Sequence, residues 1–240
     1  LPVFKAVGAE KETGAIAVRA DEGLRLKTAK TEGLAEMDVK ELPKELQQEK
    51  VLLGYRYFAQ PWSGAIAAEP IEPHVTVETF TFLSLGEALL QTAVTVKYSI
   101  LYAGVQTFRL QLPEGVTNVD ITGEEIKHRE EDKTNHIWTV SLQARKRDDY
   151  RLFVTFQREV GGEKVDLQYA GLQVLDVRRE TGYMAVAARS DLELAAGEKM
   201  ADLTPIDPQE IPADYKVGIT APLLLAFRYL KHPYALHAVA

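Results

Sequence analysis

Apolar and polar positions alternate along the middle of the chain. In "VTVETFTFLSL" (75–85), "AVTVKYSILY" (93–102), "VQTFRLQLP" (105–113), "VTNVDITG" (116–123), "HIWTVSLQ" (136–143), "YRLFVTFQREV" (150–160) and "EKVDLQYAGLQV" (163–174), β-branched, aromatic and aliphatic residues recur mostly at every second position. Successive side chains of an extended chain point to opposite faces, so a period of two predicts strands with one buried face. Turn chemistry separates the runs: Pro113-Glu114-Gly115, the stretch Asp132 to Asn135, and Gly161-Gly162, a pair able to take positive φ in a tight hairpin. Seven short strands at this spacing predict an antiparallel, Ig-like β-sandwich. No helix-period segment long enough for a βαβ crossover separates them, which argues against a parallel α/β sheet.

The flanking text is written twice. Glu12, Thr13, Gly14, Ala17, Val18, Ala20, Leu24 and Leu26 recur as Glu180, Thr181, Gly182, Ala185, Val186, Ala188, Leu192 and Leu194, at a constant offset of 168 residues. "MDVKELP" (37–43) answers to "IDPQEIP" (206–212), and "YRYFAQPW" (55–62) to "FRYLKHPY" (227–234). Ile16, Val18 and Ala20 alternate with Ala15, Ala17 and Arg19, again as strands do. Asp38 with Glu41, and Asp207 with Glu210, have the spacing of a capping box, and Pro208 suits a first helical position. Each copy is therefore expected to hold a short helical turn between strands.

The predicted organisation is all-β: a repeat module over residues 1–70, the sandwich over 71–168, and a second, homologous module over 169–240. Equal apolar spacing must present equal faces to a core, so the two modules are expected to share one strand order. Ile16, Val18, Leu24 and Leu26 are then expected to be buried as Met184, Val186, Leu192 and Leu194 are. The second copy ends soon after Tyr234, whereas strand-like text continues past Trp62 in the first, and the expectation is a piece cut from a longer protein.

Composition narrows the function. The chain carries 28 Lys and Arg against 35 Asp and Glu, for a net charge of −7, with no basic block longer than "ARKR" at 144–147. That balance argues against nucleic acid or an anionic membrane as partner. Cysteine is absent, which removes disulfides, thiolate metal sites and a cysteine nucleophile together. No apolar run approaches the roughly 18 residues that span a bilayer.

Candidate chemistry is sparse. His74, His128, His136, His232 and His237 lack the spacing of a paired metal motif, and His128 and His136 flank the acidic stretch "HREEDKTNH", read as an exposed turn. Glu124-Glu125 and Glu130-Glu131-Asp132 are adjacent carboxylates, which on a strand point to opposite faces rather than at one substrate. Ser63 in "PWSGAI" lacks a nucleophile-elbow context. No cofactor, metal or catalytic residue is expected. The best candidate is the aromatic block: Arg56, Tyr57 and Trp62 in one copy, Arg228, Tyr229 and Tyr234 in the other, each Arg between two aromatics. Exposed, such groups stack on sugar rings or hold an acidic partner; buried, they are core strands. In a strand each Arg points away from its aromatic neighbours, and pairing of Arg56 with Glu12 and of Arg228 with Glu180 is expected to tie the first strand of each module to its last.

"RETGYMAVAARSDLEL", "IDPQEIP", "FRYLKHPYAL" and "FRLQLPEGVTNVDITG" together resemble the β-rich extracytoplasmic regions of large, uncharacterised bacterial membrane-anchored proteins. The resemblance implies an extracytoplasmic position and a longer parent with a transmembrane span, and it carries no activity. The expected function is a non-catalytic structural or macromolecule-binding module of the envelope with a protein or glycan partner. A carbohydrate-binding module is the alternative, favoured if Tyr55, Trp62, Tyr229 and Tyr234 are exposed; a hydrolase fragment is the third.

Overall fold

The alternating runs fold as strands, and the only helical elements among the described residues are four three-residue 3-10 turns. The protein is all-β. The computed structural model describes residues 1–3, 7–8, 10–21, 23–160, 166–188, 195–196 and 200–239. The hairpin expected at Gly161-Gly162 and the burial expected of Leu192 and Leu194 fall outside them. Contacts divide the chain into two units, Leu1–Glu72 and Pro73–Ala240. No helix among the described residues is long and apolar enough to cross a membrane.

The first unit contains β1 (Gly14–Arg19), β2 (Leu24–Glu32), β3 (Ala35–Met37), β4 (Val51–Tyr57) and β5 (Ser63–Pro70). They form an antiparallel sheet in the order β1-β4-β3 and a separate β2-β5 pair. Turns Val39–Glu41 and Lys44–Leu46 connect β3 to β4, and Asp38 caps the first, accepting a hydrogen bond from the Lys40 N–H at 2.8 Å. Of the apolar side chains described in this unit, Leu42, Tyr55 and Trp62 are buried.

The second unit contains β6 (His74–Leu85), β7 (Leu89–Gln111), β8 (Thr117–Gly123), β9 (Ile126–Asp132), β10 (Ile137–Glu159), β11 (Asp166–Tyr169), β12 (Gln173–Leu175), β13 (Arg179–Ala188), β14 (Ala195–Ala196), β15 (Thr204–Pro205), β16 (Leu225–Tyr229) and β17 (Leu236–Val239). Nine of them form one sheet along the path β15-β16-β13-β6-β7-β10-β8, with β12 beside β7 and β9 beside β10. Strands β11, β17 and β14 form a second sheet. One face of the large sheet, through Val77, Val96, Leu152, Met184 and Phe227, shares a core with Leu167, Tyr169 and Leu236 of the small one. On the opposite face Phe80, Ala185 and Ala226 are covered by Ile211 and Tyr215 from turns Pro208–Glu210 and Ala213–Tyr215.

The sandwich differs from its expectation in detail. Strands β7 and β10 are each 23 residues long and replace two predicted strands apiece, because register breaks between Ser141 and Asp148 and left-handed residues Tyr102 (φ 71°) and Asp148 (φ 63°) bend the ladder without ending it. The "HREEDKTNH" stretch is largely strand β9, since pairing with β10 satisfies its backbone even though its side chains face solvent. Strand β13 pairs with β6 in parallel, from Arg179 opposite Thr76 to Ala188 opposite Leu85. Residues 169–240, expected as a separate module, thus continue the sheet of the sandwich. The unbroken buried run Met184–Ala187 suits a strand covered on both faces.

The two flanking segments share strand order and register. Gly14 lies opposite Tyr57, Ile16 opposite Tyr55 and Ala17 opposite Gly54; Gly182 lies opposite Tyr229, Met184 opposite Phe227 and Ala185 opposite Ala226. Strand β3 borders β4 as β15 borders β16, with Ala35 facing Arg56 and Thr204 facing Arg228. The pairs Lys27–Ala67 and Thr28–Ile66 of β2 and β5 recur as Ala195–Val239 and Ala196–Ala238 of β14 and β17. Burial differs: Met184 and Val186 are buried, whereas Ile16, Val18 and Leu26 are only half-buried and Leu24 is exposed. The physical reason is the neighbour: β13 has β6 and the sandwich core beside it, and β1 lies at the edge of its sheet.

Candidate functional site

Tyr55, Trp62, Tyr229 and Tyr234 are buried and so offer no stacking surface for a sugar, and Tyr57 is half-buried. The ring centroids of Tyr57 and Trp62 lie 5.5 Å apart and those of Tyr229 and Tyr234 4.4 Å apart, as expected of packed core aromatics. Arg56 and Arg228 are exposed on the opposite faces of their strands. Neither makes the expected ion pair. The glutamates sit on the aromatic side: Tyr57 Oη donates to Glu12 Oε1 at 3.5 Å and Tyr229 Oη donates to Glu180 Oε1 at 3.2 Å. Glu180 of β13 is tied to β16 through Tyr229, and Glu12, two residues before β1, to β4 through Tyr57, because strand alternation turns the Arg away.

Glu180 is buried among Tyr229, Tyr98 and Tyr234, and its other oxygen accepts the Val174 N–H at 3.0 Å. Burial pushes its carboxyl up to about 7, against the opposing pull of the hydrogen bonds from Val174 and Tyr229. Burial lowers neighbouring His232 to about 4, so that its imidazole is neutral near pH 7. The group is closed to solvent and serves the core.

The exposed Arg228 belongs to a different constellation. Even-numbered positions of β6 and odd-numbered positions of β7, β10 and β13 face away from the shared core, and pairing brings them into rows. One row is Arg179, Thr76, Ser99 and Asp149; the next is Thr181, Glu78, Lys97 and Arg151; the third carries Arg228, Tyr183, Phe80 and Phe153. The first two rows, with Arg228 of the third, line an open groove of about 470 Å³. Its lining holds four basic side chains, Lys97, Arg151, Arg179 and Arg228, against two acidic ones, Glu78 and Asp149, on a chain of net charge −7.

The groove is partly pre-organised. Tyr215 stacks on Phe80 with centroids 5.0 Å apart, and its hydroxyl donates to Glu78 at 2.6 Å. Lys97 pairs with Asp214 and lies 3.8 Å from the Tyr215 ring centroid; its hydrogen bond to Asp214 holds that carboxyl below its usual range. Arg228 lies 5.8 Å from the Tyr183 ring centroid. Arg151, Arg179 and Arg228 are exposed and form no salt bridge among the described residues, although the charge of Arg151 adds to that of Lys97 in lowering Asp214. Of these residues the sequence pointed to Arg228 alone. The others are ordinary polar positions of separate strands, and only the parallel β6–β13 pairing brings Arg179 beside them. No group of three or more His, Asp or Glu side chains able to hold a metal occurs among the described residues.

No protein-family model matches the chain, and no curated protein matches it. Comparison of folds finds the M1 zinc metallopeptidase of Deinococcus radiodurans at a TM-score of 0.39: a mutant bound to a Tyr-Ser-Ala substrate at 13% identity, and the mutant alone and the unmutated enzyme at 12% each. In every case the match covers 70% of this chain and 42% of the peptidase, so the chain spans less than half of that protein's length.

Proposed function

We propose that this chain is a non-catalytic β module of a bacterial envelope protein, held outside the cytoplasm by a longer membrane-anchored parent, that binds an acidic, extended segment of another protein in the groove of Arg228, Arg179, Lys97 and Arg151. The observation that carries the reading is three exposed arginines, none in a salt bridge with a described residue, gathered on one sheet face of an acidic chain. Adjacent strands lie about 4.8 Å apart, so the four strand steps from Arg151 on β10 to Arg228 on β16 span roughly 19 Å. A single phosphate or sulfate cannot bridge that width, whereas about six residues of extended peptide can. Arginine forks suit carboxylates, and the rigid sheet presents them without ordering a loop. The envelope location is supported by the sequence resemblance.

The test is titration of an octameric Asp/Glu peptide into the chain at low ionic strength, with Arg179→Glu/Arg228→Glu beside it. Binding is expected in the wild type and is expected to weaken at least tenfold in the double variant, and to fall with added salt. Equal binding by both proteins, or none at millimolar peptide, would overturn the proposal.

A further inference from the structure

We infer that the free edge of β1 is a docking edge for a parallel β-strand of the β6 type, supplied by a second β-sandwich of the kind built from residues 73–160. Strand β13 has two neighbours, antiparallel β16 and parallel β6. Strand β1 pairs with β4 in the register that β13 uses with β16, residue for residue from Gly14–Tyr57 to Ala17–Gly54. Its remaining edge is therefore the counterpart of the edge that β6 covers. Among the described residues no strand pairs with it.

The side chains agree with the backbone. Met184 and Val186 are fully buried beside β6, while their counterparts Ile16 and Val18 are half-buried, which leaves apolar area for the missing neighbour to cover. Gly182 lies so close to the backbone carbonyl of Thr79 on β6 that a Cβ there would collide with it; at the matching position, Gly14, a Cβ would meet the Tyr57 ring. The edge GAIAV carries none of the lysines, prolines or bulges that usually guard an open edge, although a register shift does occur at its end between Val18 and Arg19. A second copy of this chain does not fit, because its β6 already lies between β7 and β13. The occupant is an open strand with the Val/Thr/Phe alternation of β6, added by strand augmentation.

The absence of cysteine makes the register measurable. The probe is a synthetic peptide of residues 74–85 flanked by lysines, carrying one cysteine, with the chain carrying Ala15→Cys or Ala17→Cys. Tyr183 faces Phe80 and Ala185 faces Phe82 in the β6–β13 pair, so parallel docking joins position 15 to a cysteine replacing Phe80 and position 17 to one replacing Phe82. Those disulfides are expected to form at least tenfold faster than the crossed pairs. A second measurement uses wild-type chain and cysteine-free peptide: amide exchange within residues 14–18 is expected to slow at least tenfold. Faster crossed pairs, preferential linkage of two chains through position 15, or no protection of 14–18 at millimolar peptide would each overturn the inference.

Discussion

Glu180 shows how one residue type serves two roles in matching positions. In the first segment Glu12 meets Tyr57 at a half-exposed site, and in the second Glu180 meets Tyr229 inside the core. Desolvation raises the Glu180 carboxyl from an ordinary 4.5 to about 7. A carboxyl raised by folding favours the folded state in its protonated form, so its contribution is present below about 4.5 and is lost as pH rises through 7. The ceiling on that loss is about 3 kcal/mol. His232 works in the opposite sense, because its lowered value of about 4 removes stability as pH falls from about 6.5 toward 4. Glu180→Gln can still accept the Val174 N–H and reach Tyr229. It is expected to stabilise the protein by up to about 3 kcal/mol at pH 8 and to change it little at pH 4.5. Chemical denaturation of both proteins at the two pH values checks this, and a gap that does not depend on pH would remove Glu180 as the cause.

At the scale of elements, Gly14 and Gly182 offer a matched pair. A Cβ on Gly182 would meet the Thr79 carbonyl of the neighbouring strand, which cannot move without breaking the β6–β13 ladder. On Gly14 it would meet the ring of half-buried Tyr57, at 2.6 to 2.7 Å, the far end of a side chain that can swing aside. Gly182→Ala is therefore expected to cost about 1–3 kcal/mol and Gly14→Ala less than about 1 kcal/mol, measured by thermal or denaturant unfolding. Similar costs at both sites would mean that β6 imposes no special constraint on β13.

These elements also mark what could be read from the chain. Alternation located β6, β7, β8 and β10 but not β9, whose exposed charged side chains carry no alternation, and the doubled blocks located the matching pairs, because a repeat is visible without the fold. Strands β7 and β10 read as four in the sequence because the alternation breaks at Tyr102-Ala103-Gly104 and at the charged stretch Arg145–Asp149, while the ladder continues through both bends. The groove was hidden for another reason. Arg151, Arg179 and Arg228 lie on three strands, and nothing in their own neighbourhoods announces that β13 will lie parallel to β6. The Glu–Arg pairs failed because alternation, applied to the glutamates as it was to the arginines, puts Glu180 on the face of Tyr229.

For the molecule as a whole, the contrast between the units sets where stability resides. In Leu1–Glu72 the buried apolar side chains among described residues are Leu42, Tyr55 and Trp62, whereas the second unit surrounds Val96, Leu110, Val140, Leu152, Val154 and Met184 with a continuous core. Apolar burial is the main favourable term in folding, and a segment of this size with so small a core is marginal. Local opening follows the same gradient. Native-state amide exchange is therefore expected to be at least about a hundredfold faster in β1 and β4 than in β7 and β10, equivalent to about 3 kcal/mol of local stability. The β6-type peptide is expected to narrow that difference from the β1 side, since it covers Ile16 and Val18 and satisfies edge amides without touching the core of the second unit. Equal protection in the two units without peptide would show that the first is stabilised by something other than its own buried side chains, and would remove the energetic reason for β1 to seek a neighbour.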